Sequence, residues 1–211
     1  MGLARLPAPL LLITDRMQAR LPLLDVIALA FEGGCRWVSV REKDLQPLQR
    51  LALVEDILPI VRQFGGTLLV HADMHAAARA DGVHLPAGAD VAAARVCLGE
   101  SAIIGLSCHT LEDVAASDGA DYVTLGPFAP TASKPGYGPV LDPQMLRQTA
   151  ECGKTVLALG GVDETNAGVF RRAGASGIAV MGGIMRSDDP ANCVKRILGA
   201  WDDNHPSGYP R

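Results

Sequence analysis

The chain has 211 residues, 48% hydrophobic but only 4% aromatic, with 23 acidic against 19 basic side chains and a net charge of −4. That length suits one large α/β domain with a core of Ala, Val, Leu and Ile, and the hydrophobic content excludes wholesale disorder. With no basic run, the charge excludes a nucleic-acid or anionic-membrane surface, so any phosphate recognition has to be local.

The five cysteines (Cys35, Cys97, Cys108, Cys152, Cys193) are scattered without a C-x-x-C pair and read as reduced, buried small hydrophobes of a cytoplasmic protein. Near the start, Pro7, Pro9 and Asp15 interrupt any signal-peptide or membrane-helix reading.

In chain order, an apolar run at 10–14 predicts a first strand that releases Asp15 and Arg16. Residues 22–32 place apolar side chains at helical spacing and stop at Gly33-Gly34. A second strand at 37–40 runs directly into Arg41, Glu42, Lys43 and Asp44, four charges expected outside the core. A long helix is predicted over 46–64, a strand over 67–70 ending at His71, a short helix over 73–80 and a strand over 82–85 ending near His84. A helix at 91–98, a strand at 102–106 leading to Ser107 and His109, and a helix at 111–117 follow. The strand at 120–125 stops at Gly126-Pro127 and delivers a loop carrying Thr131, Ser133 and Lys134. Two hydroxyls and an ammonium so close together suit an anion, although a flexible loop with an exposed lysine is the plain alternative. A helix at 143–152, a strand at 155–159 closed by Gly160-Gly161, a helix at 164–173, a strand at 177–181 closed by Gly182-Gly183 and a helix at 192–201 complete the pattern. Residues 202–211, polar and rich in Pro and Gly, are expected to form a flexible tail beyond a domain spanning 1–201.

Short apolar strands alternating with helices imply parallel βαβ units, and eight of them favour a single-domain (βα)8 TIM barrel over an open doubly wound sheet. In a barrel the chemistry sits beyond the carboxyl ends of the strands. Those ends offer two anion sites: one rich in Arg41, Lys43 and Lys134, the other made of glycine backbone around Gly161 and Gly182.

The segments REK at 41–43, DGVHL at 81–85, GLSCH at 105–109, ADYVTLGPFAPTASK at 120–134, ALGGV at 158–162 and GASGIAVMGGI at 174–184 resemble the thiamine phosphate synthase and thiazole tautomerase superfamily. For the synthase branch, the resemblance implies transfer of a pyrimidine-methyl group: hydroxymethylpyrimidine diphosphate joins a thiazole monophosphate and pyrophosphate leaves. It implies that Arg41 and Lys43 bind the diphosphate, that Ser107, Thr131, Ser133 and Lys134 surround the pyrophosphate, and that Gly161, Met181 and Gly182 hold the thiazole phosphate. Lys43 and Lys134 are the cations expected to act on the leaving group. A homo-oligomer is compatible with the resemblance.

Three positions depart from the family pattern. Ser39 stands where the synthases have Gln, His71-Ala72 where they have Asn-Asp, and residues 86–90 (PAGAD) replace G-Q-E-D. The family carboxylates at the last two places are implied magnesium ligands, so magnesium would fall to Asp73 and Asp90, which equally suit a helix N-cap and a loop charge. The metal ligands therefore stay open. A thiazole tautomerase, with His71, His84 or His109 as acid/base, is the alternative enzyme, and a non-catalytic barrel that binds a thiamine precursor is the alternative of another class.

Overall fold

The computed structural model describes residues 6–130 and 139–203. Eight parallel strands close into a barrel in sequence order: β1 (Leu10–Ile13), β2 (Trp37–Val40), β3 (Thr67–His71), β4 (Gly82–Leu85), β5 (Ile103–Cys108), β6 (Tyr122–Leu125), β7 (Val156–Leu159) and β8 (Gly177–Val180). Both faces of each strand must be covered, which is why the strands read as apolar runs instead of alternating with polar residues.

The pleat divides them. Leu11, Ile13, Trp37, Leu69, Tyr122, Leu157 and Ala179 fill the barrel, while Leu10, Leu12, Val38, Val40 and their equivalents face the helices. With few aromatics available, one Trp and one Tyr fill the interior, Trp37 meeting Tyr122 edge-on at 5.1 Å between ring centroids.

The outer helices are α1 (Leu23–Glu32), α2 (Pro47–Gln63), α3 (Met74–Ala77), α4 (Val91–Leu98), α5 (Leu111–Ala115), α6 (Met145–Glu151), α7 (Ala167–Arg172), the single turn α8 (Gly182–Met185) and α9 (Pro190–Asp202). The long ones are set by local chemistry: α2 starts at Pro47 with a Gln46/Gln49 capping box, and α1 buries Leu23, Val26, Ile27, Ala30 and Phe31 on one stripe. The last helix, α9, packs Val194, Ile197 and Trp201 inward and lies against α1 and α7.

Several expectations need correction. Glu42 is only 2% exposed, so the charges after β2 do not all lie outside the core. Cys97 and Cys152 are exposed; Cys35, Cys108 and Cys193 are buried. The fifth strand runs on to Cys108 and takes Ser107 into the sheet, where it pairs with Thr124. Helices α3, α5, α6 and α7 are shorter than their apolar patterns, because flanking residues serve as caps and turns. Of the expected tail, Asp202 still belongs to α9, and 204–211 lie outside the described residues.

Candidate active site at the barrel mouth

The loops after β1 and β2 are locked together. Thr14 is fully buried and its Oγ1 accepts the Arg41 N–H at 2.9 Å. The buried Glu42 carboxylate accepts the Arg16 N–H at 3.1 Å on each oxygen and the Arg16 guanidinium at 3.1 Å. That guanidinium also grips both oxygens of Asp44, at 2.7 and 2.5 Å, and its hydrogen bond holds the Asp44 carboxyl below the usual carboxylate range. A buried carboxylate is tolerable only with this degree of pairing. Glu42 is thus the anchor of the REK segment, holding Arg41 half-buried at the mouth and Lys43 exposed beside it.

Across the mouth, a cavity of about 330 Å³ is lined by Arg41, His109, Gly160, Gly161, Met181, Gly182, Gly183 and Arg186 among others. Its floor needs glycine. Gly161 has φ +64°, and a Cβ there would sit 2.5 Å from Ala129 Cβ and 2.9 Å from the Pro130 carbonyl. Asn166 fixes this turn: its Nδ2 donates to the Gly161 carbonyl at 2.8 Å and its Oδ1 accepts from the Asp163 N–H at 2.9 Å. Gly182 and Gly183, the first residues of α8, line the same cavity, and the first N–H groups of a helix have no partner within it. His109 stands at the rim with Nδ1 at 3.2 Å from the Gly126 carbonyl. A carbonyl only accepts, so Nδ1 carries a proton in this contact.

Below the mouth lies a polar layer inside the barrel. His84, 4% exposed, has Nδ1 at 2.9 Å from Tyr122 Oη and Nε2 at 3.0 Å from Ser107 Oγ, and it stacks on His71 at 5.7 Å. Burial, reinforced by the nearby His71 and Arg41, pushes the His84 pKa down to about 3. Ser39 Oγ and Thr124 Oγ1 are buried in this layer with no hydrogen-bond partner among the described residues.

Of the residues singled out from sequence, Arg41, His109, Gly161, Met181 and Gly182 share one cavity. Ser39, His71 and Ser107 lie on the inward face of their strands, and Lys43 lies on the loop after β2. Thr131, Ser133 and Lys134 lie outside the described residues. Sequence reasoning missed Arg186, which caps the end of α8, lines the cavity and donates to Gln18 Oε1. A cation just past the Gly182-Gly183 turn was its available signal.

The two magnesium candidates are committed elsewhere. Asp73 caps α3 through Ala76 N at 3.0 Å and pairs with Arg50 at 2.5 Å; burial would raise its carboxyl, but these partners outweigh it and hold it below 3.8. Asp90 caps α4 through Ala93 N at 2.9 Å. Among the described residues no cluster of three or more His, Cys, Asp or Glu is arranged to hold a metal ion. Asp73 and Asp90, held in these caps and the ion pair, therefore do not fit magnesium, which usually takes one or two carboxylates beside substrate phosphate.

Comparison with known proteins agrees with this geometry. A family model described as thiamine monophosphate synthase matches residues 10–184. A Geobacter sulfurreducens protein provisionally assigned as a thiamine-phosphate synthase is 41% identical over 203 residues, covering 93% of this chain and 95% of that protein. The thiamine-phosphate synthase of Roseiflexus castenholzii is 37% identical over 194 residues, covering 88% and 84%. Among solved structures, thiamine phosphate pyrophosphorylase from Pyrococcus furiosus superposes with a TM-score of 0.80 at 26% identity, covering 92% of this chain and 95% of that one. With its closed eight-stranded barrel, glycine-walled mouth and a match along most of its length, the chain belongs to the thiamine monophosphate synthase family.

Proposed function

We propose that this protein is a thiamine-phosphate synthase: it joins hydroxymethylpyrimidine diphosphate to thiazole monophosphate and releases pyrophosphate. The observation that carries the reading is a single mouth in which Arg41 faces a cavity walled by Gly160, Gly161, Gly182 and Gly183. One substrate phosphate suits the glycine backbone and the other suits the cations of the β2 loop.

In the reaction, the pyrimidine-methyl C–O bond breaks and its electron pair leaves with pyrophosphate. The thiazole nitrogen then gives its lone pair to the resulting cation, forming the C–N bond. Arg41 and Lys43 stabilise negative charge developing on the departing oxygen, with Lys134, Thr131 and Ser133 assigned to the same group by the family pattern. The barrel holds the two reactants in line, so no side-chain nucleophile is needed. Magnesium and a homo-oligomer belong to this reading only through the family, and no step is assigned to the metal.

The test is formation of thiamine phosphate and pyrophosphate, one to one, from both substrates with purified protein in magnesium buffer. Arg41→Ala or Lys43→Ala is expected to lower kcat/KM by roughly 10²–10³. Absence of product from the unaltered protein ends the synthase reading. One observation favours a second reading: His109 lines the cavity at its rim, and an imidazole there is a group that a thiazole tautomerase needs as acid or base. Proton exchange on the thiazole carboxylate phosphate, lost in His109→Ala, would establish it.

A further inference from the structure

His84, Gly105 and Tyr122 are register partners on three adjacent strands, β4, β5 and β6. The glycine between them is what lets the two rings touch. A Cβ at position 105 would lie 2.5 Å from Tyr122 Oη and 2.6 Å from His84 Nδ1, so any other residue would sever the contact. Ser107 stands two residues further along β5 on the same face, one layer nearer the mouth. The hydrogen bonds therefore run upward from the closed barrel interior to the site: Tyr122 to His84 at 2.9 Å, and His84 to Ser107 at 3.0 Å.

The direction of the protons follows from accounting for Tyr122. The residue is 1% exposed, and His84 Nδ1 is the hydrogen-bond partner of its hydroxyl among the described residues. Were Nδ1–H the donor, the tyrosine proton would be buried without an acceptor, which is costly. Tyr122 therefore donates, Nδ1 accepts, and the imidazole carries its proton on Nε2, from which it donates to Ser107 Oγ. An imidazolium would have to donate from both nitrogens and is excluded by the same geometry; burial, which depresses the His84 pKa, agrees. With its oxygen already accepting from His84, Ser107 has its own proton directed away from the histidine.

We propose that Tyr122 and His84 are positioning residues that preset Ser107 as a hydrogen-bond donor to a phosphate or diphosphate oxygen in the mouth. The inference deepens the synthase reading and rests on it for the identity of the anion.

The test uses inorganic pyrophosphate as probe and Tyr122→Phe as the variant, which removes one oxygen and keeps the ring against Trp37. Nitrogen NMR of the His84 ring in the unaltered protein should show a neutral imidazole protonated at Nε2 between about pH 5 and 8, with mixed tautomers in Tyr122→Phe. Calorimetry should show pyrophosphate Kd rising roughly tenfold in Tyr122→Phe, and no further in the Ser107→Ala background. Equal losses in both backgrounds, a proton on Nδ1, or no pyrophosphate binding by the unaltered protein would overturn the relay. Because no turnover enters these measurements, the product assay judges the synthase reading separately.

Discussion

At the scale of single residues, burial decides what a titratable group can do, and His84 shows the consequence for stability. Below its ordinary pKa of 6.5 the histidine of the unfolded chain takes up a proton, whereas the folded one stays neutral down to about 3. The unfolded state thus binds more protons across that window, and stability falls as pH falls through it, by at most about 1.4 kcal/mol per pH unit. Urea unfolding of the unaltered protein and His84→Gln across the window should show a flatter acid loss in the variant, despite its lower stability near neutrality. Equal slopes would mean that His84 is protonated in the folded state. Sequence spacing placed His84 near the end of a strand but misread Glu42. A run of charges shows no partners, and the partner that allows Glu42 to be buried, Arg16, lies 26 residues earlier.

At the scale of elements, the strands were legible to within two residues, while the devices joining them at their amino-terminal ends were not. Asp81, just before β4, donates its N–H to the Leu68 carbonyl at 2.8 Å and accepts the Leu68 N–H on its carboxylate at 2.7 Å. Asp121, before β6, does the same with Ile104 at 2.8 and 2.7 Å, and Ser176, before β8, donates its N–H to the Val156 carbonyl at 2.8 Å and accepts the Val156 N–H on its hydroxyl at 3.3 Å. Arg62 of α2 holds Asp81 and Arg95 of α4 holds Asp121. The sequence wrote this repeat as Ala80-Asp81, Ala120-Asp121 and Ala175-Ser176, yet nothing in one strand's own pattern says that the polar residue bonds its neighbour's backbone. These bolts lie at the end of the barrel opposite the mouth, where a barrel keeps stability apart from chemistry. Asp81→Ala should therefore lower unfolding free energy by roughly 1.5–3 kcal/mol in urea titration, the worth of a charged hydrogen bond, with kcat/KM unchanged. A matching loss of activity at full occupancy of the folded state would contradict that separation.

For the whole molecule, net charge and local field point in opposite directions. The chain carries −4 and should repel phosphorylated substrates at long range. At the mouth, however, most acidic side chains are paired: Glu42 and Asp44 share Arg16, and Asp73 pairs with Arg50, while Asp163 lines the cavity. Arg41 and Arg186 line the cavity against that one carboxylate, two cations to one anion, so the field an incoming phosphate is expected to meet there is positive. Salt discriminates between the two. The Debye length shrinks from about 10 Å at 0.1 M to about 3 Å at 1 M, which screens an attraction at the mouth and a repulsion from the whole surface alike. If the mouth governs, KM for both substrates rises with ionic strength, more steeply for the diphosphate because it carries more charge. If the net charge governs, KM falls. Steady-state kinetics across that salt range, at constant magnesium, should show the rise, and Arg186→Gln should flatten it; a KM that falls with salt would mean that the net charge outweighs the two arginines at the mouth.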